Sequence, residues 1–246
     1  MKHLPFVLTF LLSVSALAKT LIIGDSHIVG PLGEKLHGYF HSARGEEVRT
    51  VGLAGATATS FTASEESKRT LSFGFADRKN AQSTQTPGGK KATAPLLKNL
   101  LSEEKPDRFI VELGDNFANY RNGGPAADKA AAQQVREILG TLEKSGFHGR
   151  CYWVTPTWTD KEKSAPYYKD NARLAQLIAV IRKEASPRCT VIDSTQEISK
   201  DKIKTTADGL HFDARNGGVW AQAVSAKIEA LERNSRAGGS PSQGAR

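Results

Sequence analysis

Four short clusters of small and polar residues carry the side-chain types that nucleophilic catalysis needs. Ser26 follows a glycine and an aspartate, Gly55 lies in a turn of small residues, Asn116 ends the triplet Gly-Asp-Asn, and Asp208 precedes His211 by three residues. On a single turn, an aspartate at that distance can orient the imidazole and stabilise the imidazolium that forms on proton transfer. Together the clusters supply a nucleophile, a base, an orienting acid and donors for an oxyanion. They predict acyl-transfer chemistry.

The elements around these clusters indicate how the residues come together. Apolar runs predict five short strands, and stripes of apolar residues at helical spacing separate them. Alternating strands and helices favour a three-layer α/β/α domain with a five-stranded parallel sheet. Three of the clusters follow predicted strands, and the fourth stands just before the last helix. Since open α/β sheets bind ligands at the carboxyl ends of their strands, we expect the four clusters to meet there. The five strands are predicted at residues 21–23, 47–54, 108–113, 151–155 and 189–193.

Three segments differ in composition from the predicted domain at 19–233. Residues 1–18 have a charged start, an apolar run and a final Ala-Leu-Ala, the pattern of a secretory signal peptide with cleavage after Ala18. Residues 60–93 are polar and without periodicity, which predicts an insert or flap beside the site. Residues 234–246 are rich in Gly, Ser, Pro and Gln, which predicts a disordered tail. No other segment is long and apolar enough to predict a membrane span.

In their order and spacing, the clusters resemble the four sequence blocks of the SGNH (GDSL-type) hydrolase superfamily, over nearly all of 19–233. The resemblance implies a flavodoxin-like fold with Ser26 as nucleophile and His211 and Asp208 as its catalytic partners. It also implies an oxyanion hole made by the backbone N–H groups of Ser26 and Gly55 and by the Asn116 amide. One position departs from the pattern: the family commonly has an aspartate after this asparagine, where this chain has Phe117.

Other polar and aromatic residues near the predicted strand ends have weaker assignments. Asp25, His27, Phe117 and Trp158 are candidate substrate contacts, and ordinary packing is an equally good interpretation of the aromatic residues. A pair of histidines, His37 and His41, has chelating spacing but no third ligand nearby in the sequence. We therefore predict no metal and no cofactor.

Two cysteines suggest the compartment. Cys151 and Cys189 each open an apolar run, so on neighbouring parallel strands their thiols would begin side by side. The sequence predicts a disulfide between them, with two free buried thiols as the alternative. Together with the predicted signal peptide, this indicates a secreted or periplasmic protein.

The chain has 246 residues and a formal net charge of +8, which favours anionic partners. For an exported protein, the nearest are anionic cell-wall polymers. No zinc-finger spacing, RNP-like motif or sharply basic helix is present, so nucleic acid is not a predicted partner.

The combined prediction is an esterase that removes acyl groups, acetyl above all, from a carbohydrate or cell-envelope glycan. An O-acyltransferase with the same triad stays open, because only the acceptor of the acyl group differs. A lipase or thioesterase and a binding protein on an esterase scaffold are further alternatives.

Overall fold

A seven-stranded mixed sheet forms the centre of the computed structural model, which describes residues 17–117, 124–160 and 170–237. The strand order is β4-β3-β2-β1-β5-β6-β7. Most of the predicted signal peptide (1–16) and the end of the predicted tail (238–246) lie outside the described residues. The strands are β1 (Lys19–Gly24), β2 (Glu47–Leu53), β3 (Phe75–Lys79), β4 (Gln82–Thr86), β5 (Arg108–Glu112), β6 (Arg150–Val154) and β7 (Thr190–Ile192).

The five predicted strands are present and pair in parallel, but the prediction of a five-stranded, all-parallel sheet is wrong. Strands β3 and β4 add an antiparallel hairpin beside β2. The sequence conceals this hairpin because the buried positions of β3 hold Ala76 and Arg78, while β4 is almost wholly exposed. No alternation of apolar and polar residues results. The hairpin lies within 60–93, so this part of the predicted insert forms an edge of the sheet.

Helices cover both faces of the sheet. The last helix, α8, extends to Ala237 and so includes the first four residues of the predicted tail. No helix of the described residues combines the length and apolar character needed to cross a membrane. The helices are α1 (Ser26–Val29), α2 (Pro31–Gly38), α3 (Thr59–Thr62), α4 (Leu97–Glu104), α5 (Gly124–Lys144), α6 (Asn171–Ala185), α7 (Ser194–Glu197) and α8 (Ala214–Ala237), with a π-turn at Tyr39–Ala43 and a 3-10 turn at Lys200–Lys202.

The side chains of each central strand alternate between two cores. In β1, Leu21 and Ile23 point to the core shared with α4, α5 and α6. Ile22 points to the opposite core, which α1, α2 and α8 complete with Ile28, Leu36 and Trp220. Because both faces are buried, the central strand β1 contains a continuous apolar run, residues 21–23.

A buried ionic network joins the amino ends of the central strands, at the edge opposite the predicted site. Arg108 donates to both carboxylate oxygens of Glu232, at 2.8 and 2.9 Å, and also to Thr20 and Glu46. Burial opposes ionisation of Glu232, but the hydrogen bonds and charge of Arg108 outweigh it and lower the pKa of Glu232 to about 2. The network ties α8 to the sheet.

The structure contains the predicted disulfide. Cys151 lies in β6, and Cys189 directly precedes β7. The parallel register pairs Tyr152 with Thr190, which places the two cysteines side by side. The bond links the amino ends of two neighbouring strands.

Candidate active site

The turn from β1 into α1 presents Ser26 at the carboxyl edge of the sheet. Asp25 caps this helix: its buried carboxylate accepts a hydrogen bond from the backbone N–H of His27 at 3.0 Å. At Gly24 a Cβ atom would lie 2.5 Å from the carbonyl oxygen of Glu112, so only glycine allows β1 and β5 to approach this closely here. Ser26 is therefore the first residue of a short helix held at its amino end.

Arg78 holds the other end of the same helix. Its guanidinium donates to the backbone carbonyls of Ile28 at 3.1 Å and Val29 at 2.7 Å. The side chain is buried, and that burial lowers its pKa. The hairpin of β3 and β4 thus braces the turn that carries Ser26, a role that the sequence did not indicate because Arg78 stands in a polar stretch.

A hydrogen-bonded chain joins Ser26, His211 and Asp208. The Nε2 atom of His211 lies 3.0 Å from the Oγ atom of Ser26, and its Nδ1 atom lies 2.6 Å from Oδ2 of Asp208. The side chains of His211 and Asp208 are 45% and 48% exposed, so the chain opens to solvent. These distances suit proton transfer from the serine to the imidazole.

The loop before α8 fixes the Asp208 carboxylate. Its Oδ1 atom accepts hydrogen bonds from the backbone N–H groups of Leu210 and His211, at 2.9 and 3.0 Å, and from the Thr206 hydroxyl at 2.9 Å. Burial acts to raise the pKa of Asp208, but the hydrogen bonds from His211, Leu210 and Thr206 prevail and hold it well below its usual range. These hydrogen bonds therefore favour the ionised carboxylate beside the imidazole.

Two further predicted residues lie beside Ser26. Gly55 has a φ of +78°, a conformation that favours glycine. The Asn116 side chain donates through Nδ2 to Oδ2 of Asp25 at 3.0 Å, which ties it to the turn that carries Ser26. Ser26, Gly55, Asn116 and His211 all line one cavity of about 500 Å³; the other lining residues are Val29, Gly30, Ala54, Phe73, Asp115 and Leu210.

His27, a candidate substrate contact, is buried behind this cavity. Its Nε2 atom lies 2.6 Å from Oδ2 of Asp115, and its ring packs edge-on against Trp220 with centroids 5.0 Å apart. The Asp115 carboxylate therefore connects His27 to the loop that carries Asn116. The sequence pattern predicts no role for Asp115, although this residue stands inside the Gly-Asp-Asn cluster.

The other candidate substrate contacts also lie off the described wall of the cavity. Asp25 is fully buried and serves as the helix cap. Phe117 is buried and packs edge-on against Trp153. Trp158 is half-buried and donates its indole N–H to the Ile198 carbonyl at 2.7 Å. These placements favour structural roles for the three side chains.

Three buried side chains of metal-binding type lie close together beneath the turn that carries Ser26. The candidate ligand atoms of Asp25, His27 and Glu112 are all within 4.8 Å of one another. Asp25 already accepts hydrogen bonds from His27 and Asn116, and His27 is engaged with Asp115. We assign this group to the support of the turn.

Comparison with known proteins gives the class of fold. No family model matches the sequence, and no curated protein matches it significantly. Solved structures do match: a lipase/acylhydrolase from Enterococcus faecalis has 19% identity and a TM-score of 0.55, covering 87% of this chain and 97% of that one. A catalytic mutant of an acetylxylan esterase from Geobacillus stearothermophilus has 14% identity and a TM-score of 0.55, covering 86% of this chain and 94% of its own.

A third match points to the same class. A peptidoglycan O-acetylesterase has 12% identity and a TM-score of 0.51, covering 89% of this chain and 92% of that one. The chain therefore shares the three-layer fold of these esterases and acylhydrolases, which agrees with the fold class that the resemblance to the SGNH hydrolases implied.

Proposed function

We propose that this protein is a serine esterase that removes acyl groups, acetyl above all, from a carbohydrate or cell-envelope glycan. The observation that carries the proposal is the hydrogen-bonded chain from Asp208 through His211 to Ser26, which ends at the wall of an open cavity. Gly55 and Asn116 line the same cavity. Nucleophile, base and oxyanion donors thus surround one space.

The reaction begins with transfer of the Ser26 proton to His211. With its Nδ1–H donated to the anionic Asp208, the imidazole has a lone pair on Nε2 that faces the Ser26 hydroxyl. Nε2 accepts the proton as Oγ forms a bond to the ester carbonyl carbon. The imidazolium then returns the proton to the leaving alcohol of the sugar, and water repeats the sequence on the acyl-enzyme.

The oxyanion of each tetrahedral intermediate is stabilised by three donors in this proposal. These are the backbone N–H groups of Ser26 and Gly55 and the side-chain amide of Asn116. An amide nitrogen carries two N–H groups, so Asn116 can keep its hydrogen bond to Asp25 and direct the second to the substrate. The bond to Asp25 orients the donor before substrate binds.

The proposed substrate class has two supports. Among solved structures of this fold are proteins named as an acetylxylan esterase and a peptidoglycan O-acetylesterase. In addition, the side chains of His211 and Asp208 are about half exposed. An open site of this kind suits an ester carried on a polymer better than a buried acyl tunnel would.

We propose that the protein acts outside the cytoplasm. The leader-like segment at 1–18 and the Cys151–Cys189 bond support export, and the net charge of +8 supports contact with anionic cell-wall polymers. Intact-mass measurement of protein from the natural host is the test. We expect a chain beginning at Lys19 with no thiol open to alkylation before reduction, whereas an uncleaved chain with two alkylatable thiols would contradict export.

Acetate release from a panel of O-acetylated glycans, including acetylxylan and peptidoglycan, tests the activity. We expect release by the wild-type protein and none above background by the Ser26→Ala variant. Adding an unacetylated oligosaccharide separates hydrolysis from transfer, because transfer yields an acetylated sugar in place of free acetate. Equal acetate release by the wild-type protein and the Ser26→Ala variant would refute the proposal.

A further inference from the structure

The insert also contributes a residue to the cavity, and its chemistry bears on substrate selection. We infer that Phe73 is a specificity-determining residue that stacks on the sugar ring carrying the ester. This inference rests on the proposed esterase function. It concerns a side chain outside the catalytic machinery that the sequence clusters predicted.

Phe73 is the most exposed large apolar side chain among the described residues. It is 65% exposed, and the other exposed large apolar residue, Leu17, lies next to the described amino end. A single apolar side chain at a surface is ordinary. Phe73 is informative because of its position, since it lines the same cavity as Ser26 and His211.

The Phe73 ring lies directly over the oxyanion side of the site. A Cβ atom placed on Gly55 would stand 3.0 Å from Cδ2 of Phe73. The ring therefore covers the turn that supplies a proposed oxyanion donor. A group bound against this ring is adjacent to the ester carbonyl that the donor would hold.

The backbone around Phe73 is fixed on both sides. Leu71 and Ala92 exchange two hydrogen bonds of 2.8 and 2.9 Å, and Gly89 N–H donates to the Ser72 carbonyl at 2.7 Å. On the other side, Ala54 N–H donates to the Gly74 carbonyl at 2.9 Å. The backbone that carries the ring is thus fixed before a ligand arrives, which lowers the entropic cost of binding.

The surroundings of the ring favour a sugar over a long acyl chain. Val29, Ala54 and Leu210 give the cavity short apolar walls, but a ring that is 65% exposed cannot enclose a chain. A pyranose has a face of C–H groups and an edge of hydroxyl groups. Such a ring can cover the aromatic face while its hydroxyl groups stay in water, the arrangement that suits an apolar surface with a wet rim.

The test compares two acetyl esters that differ in the presence of a ring. The substrates are O-acetylated xylotetraose and ethyl acetate, and the readout is the ratio of their kcat/KM values. We expect Phe73→Ala to lower this ratio about tenfold, through KM for the oligosaccharide, because one aromatic contact is lost. Phe73→Trp should keep the ratio, and Phe73→Leu should lower it, since leucine is apolar but not flat.

Thr84→Ala is the matched control, because Thr84 is an exposed residue of the same insert (60–93) and lies in β4. It should leave the ratio at the wild-type value, and thermal unfolding of every variant checks the fold. A series of ethyl esters from acetate to hexanoate tests whether Phe73 binds the acyl chain of the ester instead of the sugar ring. If Phe73→Ala changes the preference for acyl length and not the ratio, the ring binds acyl chains and the inference is overturned.

A binding measurement separates this inference from the proposed function. Saturation-transfer NMR of O-acetylated xylotetraose with Ser26→Ala, with and without Phe73→Ala, requires no turnover. We expect transfer to the sugar-ring protons, lost in the double variant. If the double variant loses this signal but the wild-type protein has no esterase activity, Phe73 still binds the sugar ring and only the proposed function is refuted. If the wild-type protein is an active esterase but Phe73→Ala changes neither the ratio of the kcat/KM values nor the NMR signal, the role of Phe73 is refuted and the proposed function stands.

Discussion

His27 and Asp115 form a second histidine–carboxylate pair directly behind the triad, with 2.6 Å between Nε2 and Oδ2. The ring centroids of His27 and His211 are 5.6 Å apart. Because His27 adjoins Ser26 in the chain and Asp115 adjoins Asn116, the pair connects the nucleophile turn to the loop of a proposed oxyanion donor. We infer that it sets the distance between the two.

Breaking this pair should reduce both stability and turnover. His27→Phe keeps the edge contact with Trp220 but removes the hydrogen bond, and we expect a loss of about 1–3 kcal/mol in the free energy of unfolding. Because Asn116 loses its support, kcat should fall while KM changes little. Urea unfolding and steady-state kinetics measure the two effects.

A double-mutant cycle with Asp115→Ala provides the control. If the pair acts as a unit, Asp115→Ala lowers the free energy of unfolding less in the His27→Phe background than in the wild-type protein. The coupling energy should be about 0.5–3 kcal/mol. Strictly additive losses in stability and kcat would show that the two side chains act separately.

Arg78 should affect catalysis although it does not line the cavity. Arg78→Met removes the donor to the carbonyls of Ile28 and Val29, which end the helix that begins with Ser26. We expect a loss of about 1–3 kcal/mol in stability, together with a lower kcat at similar KM.

Lys79→Met is the comparison for Arg78→Met, because it removes a positive charge from the next residue of the same strand. Lys79 is about half exposed and pairs with Glu104, so its loss should cost less than about 1 kcal/mol and leave kcat unchanged. Equal effects of the two substitutions would refute the positioning role of Arg78.

Asn116→Ala tests the oxyanion donor. Removal of one such donor lowers turnover by about 10² to 10³, and we expect a loss in that range with the fold retained. Circular dichroism and thermal unfolding verify the fold, and kcat is measured on an O-acetylated substrate. Near-normal turnover in folded protein would exclude Asn116 from the oxyanion hole.

His37 predicts a pH dependence of stability. Its Nδ1 atom lies 2.9 Å from the Thr50 hydroxyl, and its Nε2 atom lies 2.7 Å from the carbonyl of Asn80, to which only a protonated Nε2 can donate. Burial lowers the pKa of His37 below 6.5; the Asn80 carbonyl opposes this, and the charges of His41 and Arg78 add to it.

Because the unfolded chain binds this proton more readily than the folded one, stability is full above about pH 6.5 and declines as the pH falls towards the folded pKa. The urea midpoint should therefore drop between about pH 7.5 and pH 5.5. The drop should be smaller in His37→Gln, which offers an amide N–H and a carbonyl oxygen to the same partners. An equal drop in both proteins would assign the dependence to other groups.

The parallel part of the fold could be predicted from the sequence because its signals are local. Runs such as Leu21, Ile22 and Ile23 are buried on both faces, and a cluster of small and polar residues marks where three of the strands end. Parallel strands place those ends at one edge, so Ser26 and Asn116 could be expected to meet although β1 and β5 are distant in the chain.

The supporting contacts could not be predicted, because each depends on a distant partner. His27 is paired with a residue 88 positions away, and nothing in the local pattern identifies Asp115 as that partner. Strand β3 was missed because its buried side chains are a small alanine and an arginine. Phe73 was missed for a similar reason, since an isolated aromatic residue in a polar segment has no periodicity.

The most direct test of the central claim is labelling of Ser26 by a fluorophosphonate. A serine that His211 activates attacks phosphorus and displaces fluoride, which adds one phosphonyl group to the chain. Mass spectrometry of the wild-type protein should show a single adduct on the peptide that contains Ser26, and His211→Ala should abolish it. Folded wild-type protein that stays unlabelled, or an adduct on another residue, would contradict the assignment of Ser26 as the nucleophile.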